Sequence, residues 1–182
     1  MKNSMKKDIF KKSTILFGII CILSSCIKEN IPLTHSREDY LGDNLRIDGF
    51  YYEKKRDGTI NSILTFFYKN GVTFEVTFSE TISDPAECIA VLNKERIEAH
   101  RKRKYNWGIF IINNNDFFCE AWATPIDGNY VHLITQTGEI LSDTCIMITT
   151  FNNGNTFQEN LKGMMYFYPY SPKPDSTNTF IK

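Results

Sequence analysis

The 182-residue chain lacks the local signatures on which most enzyme chemistry rests. It has no Gly-x-Ser-x-Gly elbow, no His-Glu-x-x-His, no glycine-rich phosphate loop and no Cys-x-x-Cys pair. The hydrolytic, zinc-peptidase, nucleotide-phosphate and dithiol chemistries that need those spacings therefore have no footing. Histidine is scarce, with three residues spread over the chain. Neither sign of charge is in excess, since 21 basic residues balance 21 acidic ones. That leaves no global attraction to nucleic acid. Long hydrophobic runs are missing too. Residues 15–23 form the longest, well short of the roughly 20 residues that a membrane-spanning helix needs.

That short run is nonetheless placed with purpose. Lys2, Lys6, Lys7, Lys11 and Lys12 precede it, and small residues close it, which is the order of a secretory signal. Leu23-Ser24-Ser25-Cys26 resembles the bacterial lipobox, so residues 1–25 are expected to be a lipoprotein signal peptide. The resemblance implies that the Cys26 thiol is acylated and becomes the first residue of the mature chain. Ordinary secretory cleavage, with Cys26 incidental, is the alternative. Ile27 stands where an aspartate would hold an enteric lipoprotein at the inner membrane. Lys28-Glu29 is similar to the short charged signal of Bacteroidota surface lipoproteins. The expected address is the bacterial outer membrane, lipid-anchored, on the cell surface or the periplasmic face.

Without residues 1–25 the chain carries 16 basic and 20 acidic residues, a mild negative charge. About 157 residues suffice for one core. Cys88, Cys119 and Cys145 remain, and no pairing follows from their spacing. Buried unpaired thiols are favoured over one disulfide with a leftover. Residues 26–44 are polar and aperiodic, and read as the lipidated cysteine and a tether.

From residue 45 to 182 the hydrophobic period is two. In "VTFEVTFS", Val72, Phe74, Val76 and Phe78 alternate with Thr73, Glu75 and Thr77, as a half-buried strand requires; the first set is taken as the buried face. Asp57-Gly58, Asn70-Gly71, Asn113-Asn114-Asn115, residues 125–128, Thr137-Gly138 and residues 152–155 punctuate such runs, and several are hairpin-turn pairs. Eight strands with short connections give an antiparallel meander, which closes into an up-and-down barrel; a two-sheet sandwich is the alternative. One segment departs from the pattern. Asp84-Pro85-Ala86-Glu87 has the form of a capping box, and Ile89, Leu92 and Ile97 follow near helical spacing, so residues 85–103 read as one amphipathic helix between strands three and four. Its basic end, residues 100–104, suits the helix dipole or, alternatively, an acidic ligand.

Gly49-Phe50-Tyr51 resembles the Gly-x-Trp opening of lipocalins, with tyrosine in the tryptophan position. Trp107-Gly108-x-Phe110, Glu120-x-Trp122, Gly138-x-Ile140-x-x-Asp143-Thr144 and the tail "KPDSTNTFIK" are similar to Bacteroidota outer-membrane lipoproteins with lipocalin-like barrels. That resemblance implies an all-β barrel and brings no catalytic residues; no cofactor is expected from the residues themselves.

Two kinds of site are candidates. If the turn after strand five centres on Ile126, Glu120 opposes His132 and Trp122 opposes Tyr130. A Thr137-Gly138 turn then sets Asp143 across from His132. The row Glu120, His132, Asp143 suits a metal or a general base, or a solvent-facing polar row. The opposite face, with Phe117, Cys119, Ala121 and Leu133, is better interior material, so no metal is assumed. The second candidate is an aromatic-lined cavity, with Tyr51, Phe66, Trp107, Trp122, Tyr130 and Phe167 as lining, against a core filled by the same residues. Two functions follow: a lipid-anchored barrel binding a small apolar or amphipathic ligand or a glycan, or a non-enzymatic module docking onto another envelope protein.

Overall fold

The computed structural model describes residues 31–123, 132–153, 157–158 and 162–182. The signal segment, Cys26 and Tyr130 lie outside the described residues. The alternating runs form β1 (Gly49–Lys54), β2 (Ile60–Phe67), β3 (Val72–Thr77), β4 (Trp107–Asn113), β5 (Asp116–Ala123), β6 (His132–Ser142), β7 (Cys145–Asn152), β8 (Phe157–Gln158) and β9 (Gly163–Pro169). Pairing is antiparallel and follows chain order from β1 to β7, and β9 then joins β7 to β1. Eight strands thus close an up-and-down barrel, and two-residue β8 adds to the far end of β7. Closure leaves no long unpaired edge.

The aromatic runs meet at the β1–β9 seam. Phe50 lies against Tyr168, Tyr51 against Phe167 and Tyr52 against Tyr166, with ring centroids 5.5, 5.5 and 5.9 Å apart.

One turn is not where the dipeptide places it. β6 runs straight through Thr137-Gly138 and turns at Asp143-Thr144 instead. Gly138 marks a bulge: the register with β7 shifts between Thr137 and Gly138. A Cβ at Gly138 would stand 2.2 Å from the Met147 carbonyl oxygen, so the glycine permits close backbone approach. Gly71 does serve a turn, with φ +73°.

Period two sends alternate side chains to opposite faces, and here both faces are buried. Phe67 on β2 touches Phe110 on β4 and Phe117 on β5, at 4.9 and 5.6 Å. Such contacts between non-neighbouring strands cross the lumen. Tyr51, Phe67, Phe110, Phe117, Cys119, Ile140, Ile146, Ile148 and Met165 belong to this inner cluster. Phe50, Leu64, Phe66, Val72, Phe74, Val76, Trp107 and Trp122 form a second cluster on the outer wall, under Cys88, Val91 and Leu92 of the helical segment and beside Tyr170, Phe180 and Ile181 of the C-terminal tail. The buried face of β3 is therefore its outer one, and Thr73, Glu75 and Thr77 belong to the inner face.

The helical segment is not one helix. A 3-10 turn, Pro85–Glu87, leads into α1 (Cys88–Val91), and after a break at Leu92-Asn93 comes α2 (Lys94–Arg101). Asp84 caps the first piece, accepting from the Ala86 amide at 2.9 Å. Asn93 caps the second through the Arg96 amide at 2.9 Å. The basic end is tied down: Arg101 pairs with Glu98 and with Asp175 of the tail, at 3.1 and 3.2 Å.

Residues 31–44, read from sequence as a tether, lie along the barrel, and the compact unit begins at Ile31. Buried Glu120 accepts from the Thr34 amide and hydroxyl and from the His35 amide, at 2.9, 2.5 and 3.1 Å. Further along, this strap crosses under three turns. The Tyr40 amide donates to the Lys69 carbonyl and the Arg46 amide to the Asp143 carbonyl, both at 2.8 Å. The Asn44 side chain donates to the Asn114 carbonyl at 2.6 Å. One barrel end is sealed in this way.

Because Asn93 satisfies an amide left free at the start of α2, Asn93→Ala is expected to destabilise the protein by about 1 kcal/mol. Chemical denaturation measures this, and an unchanged midpoint would show that the cap carries no stability.

Candidate functional site

The lumen changes character along its length. Toward the sealed end it is filled by Tyr51, Phe67, Phe110 and Phe117. Toward the other end a cavity of about 370 Å³ opens. Glu53, Asn61, Thr65, Glu75, Gln136 and Gln158 give it polar walls, and Ile63, Ile148, Phe151 and Met165 give it apolar ones. Residues from strands on opposite sides of the barrel share this lining, so it is a chamber of the barrel itself. A second hollow, of about 350 Å³, lies at the sealed end. Exposed strap residues border much of it, including Leu41 at 84% exposure, and it is a surface cleft.

The two lumen carboxylates are held differently. Glu53 accepts a hydrogen bond from the Asn61 side chain at 2.8 Å. Glu75 stands opposite Thr65 on β2, and among the described residues no hydrogen bond or ion pair meets its carboxylate. It retains some solvent contact through the cavity, yet the barrel wall surrounds it. Burial pushes its carboxyl up to about 7, because the charged form is poorly solvated there. Cys119 projects into the same lumen from β5. Burial first, and Glu75 second, push its thiol upward, which keeps it protonated and weakly nucleophilic. Cys88 and Cys145 are also free thiols.

The candidate row does not assemble. Glu120 faces Thr135 and Trp122 faces Leu133, while His132 faces Ala123. The actual register lies three positions from the hairpin arithmetic, and an odd slip moves side chains to the other face. Glu120 is an anchor for the strap, its carboxylate also 3.7 Å from the His35 ring. Asp143 sits exposed in the β6–β7 turn. Among the described residues no group of three His, Cys, Asp or Glu side chains is placed to hold a metal ion.

The aromatic candidates divide between the two faces. Tyr51 packs in the filled part of the lumen, and its hydroxyl donates to the Arg46 and Asp143 carbonyls, both at 3.0 Å. Phe167 packs beside it. Phe66, Trp107 and Trp122 lie in the outer-wall cluster. There the Trp107 indole donates to the Arg101 carbonyl at 3.0 Å and the Trp122 indole to the Ile31 carbonyl at 2.7 Å. None of these five lines the open cavity. The residues that do line it, Glu53 and Glu75 above all, escaped sequence reasoning. One signal was present: Glu75 is the one charge in "VTFEVTF", flanked by small threonines on a face read as solvent.

Comparison with family models, with curated proteins and with solved structures finds no match.

Two outcomes test this geometry. Phe74 is fully buried on the outer wall, 4.6 Å from Trp107 and 6.1 Å from Phe66. Phe74→Trp should overpack that wall and cost about 1–3 kcal/mol without changing binding in the lumen; altered lumen binding at unchanged stability would place Phe74 inside. The second outcome concerns Glu75. Its native carboxyl titrates near 7 against an ordinary 4.5, so between those values the native state keeps a proton that the unfolded chain has released. Glu75 thus stabilises least at and above neutral pH, and its contribution declines as pH rises from 4.5 to 7. The decline amounts to roughly 3 kcal/mol at most, less where lumen water screens the charge. Glu75→Gln should lack it. Denaturation of both proteins across this range measures the difference, and parallel profiles would refute the shift.

Proposed function

We propose that this protein is a lipid-anchored lipoprotein of the bacterial outer membrane whose lipocalin-like barrel binds a small ligand in its half-open lumen. The observation that carries the reading is the cavity of about 370 Å³ above a packed aromatic floor. Its mixture of apolar walls and a few polar groups is the usual make-up of a ligand pocket. The charged start of the chain, the short apolar run and Cys26 support the anchor.

Binding is favoured over catalysis because the lumen offers a protonated thiol and two carboxyls without a base–nucleophile pair. It is also favoured over docking. The large exposed apolar residues Leu41, Ile63, Ile89, Leu141 and Tyr166 sit on separate elements, and the broad aromatic wall is covered by the helices and the tail.

Ile63 lines the cavity and is 37% exposed, so Ile63→Trp should fill the chamber while sparing the core. Saturable binding of an amphipathic fluorescent probe should fall to background in that variant with its circular dichroism unchanged. Undiminished binding would move the site elsewhere. Cys26→Ala should shift the protein from the detergent phase to the aqueous phase, and continued detergent partitioning would remove the lipid anchor from the reading.

A further inference from the structure

The chamber's charge is one-sided. Its described lining residues include two carboxylates, Glu53 and Glu75, and no basic side chain. Asn61 already serves Glu53; no described residue serves Glu75. A carboxylate enclosed by protein and left without a counter-charge is costly, and a ligand that supplies that charge recovers the cost. An anionic ligand would meet repulsion from both carboxylates. A neutral polyol would find partners in Asn61, Gln136 and Gln158, but would leave Glu75 uncompensated once ionised. A metal ion lacks its ligands, since no cluster of three suitable side chains occurs among the described residues.

We propose that the lumen takes an organic amine, its ammonium group on the Glu75 carboxylate and its apolar body against Ile148, Phe151 and Met165. This rests on the reading of the lumen as the binding site. The geometry supports a buried head group. Glu75 lies mid-strand on β3, one layer above the Phe67, Phe110 and Phe117 rings. Glu53 pairs with Met165 on β9 and bonds to Asn61 near the start of β2, closer to the open end. An amine entering the barrel therefore passes one carboxylate that is already hydrogen-bonded and reaches one that is not. Donation of its N–H groups to Glu75 gives a charge-assisted hydrogen bond, stronger than a neutral one and shielded from bulk water.

Phenethylamine, phenethyl alcohol and phenylacetate share one apolar body and differ in head-group charge. Calorimetric titration of each into the full chain in lipid nanodiscs, at mildly alkaline pH, tests the proposal. Phenethylamine is expected to bind about tenfold or more tightly than the alcohol, with phenylacetate weakest. Glu75→Gln should erase the preference for the amine while keeping alcohol binding, which also shows that the variant is folded. Glu53→Gln should keep most of the preference. Equal affinity for amine and alcohol, unchanged in Glu75→Gln, would overturn the amine assignment and leave the lumen as a binding site. Loss of the preference only in Glu53→Gln would overturn the role of Glu75. No saturable binding of any of the three would overturn both readings.

Discussion

Strands β1 to β4 have to bury both faces at once, and the rest of the molecule follows from how that is done. Inward-facing side chains meet one another across the lumen. Outward-facing ones, such as Phe50, Leu64, Phe74 and Trp107, would expose a wide aromatic surface to water, so the helical segment, Leu33 of the strap and the C-terminal tail cover them. At roughly 25 cal/mol per Å² of apolar surface, that cover is a second hydrophobic core. The inner face is then free to be less apolar, and two carboxylates and several amides appear in a place where a single-core barrel would carry aliphatic residues.

The fold class was legible because its evidence is local. Alternation in "VTFEVTFS", Asp-Gly and Asn-Gly at the first two hairpins, and aromatic runs on the first and last strands all sit within short windows. The joining of β9 to β1 follows once a meander has to close. What escaped was the choice of face. Alternation identifies two sets of side chains, but burial does not say which set looks inward when something outside covers the other. For that reason the sequence points to Phe66, Trp107 and Trp122 as lining and to Glu75 as a surface residue.

Several single residues carry two meanings in a local window. Gly138 satisfies the rule for a tight turn and equally the rule for a bulge, and the Met147 carbonyl decides between them. Asn93 has no standing in a periodicity count, yet its side chain starts a new helix after the break. The polarity of residues 31–44 suggested a free tether, because Thr34 and His35 gain their partner from Glu120, more than eighty residues away. Long-range partners of this kind leave no mark in a local window.

Lys173 holds one further implication. Its ammonium donates to the Ile47 and Phe67 carbonyls at 2.5 and 2.6 Å and lies 4.2 Å over the Tyr68 ring. A residue near the C-terminus thus reaches back 126 positions to the chain just before β1. The sealed end can be completed only when Lys173 is present to reach Ile47, since strands β1 to β9 all lie between them in the sequence. Assembly is therefore dominated by contacts distant in sequence, which form slowly.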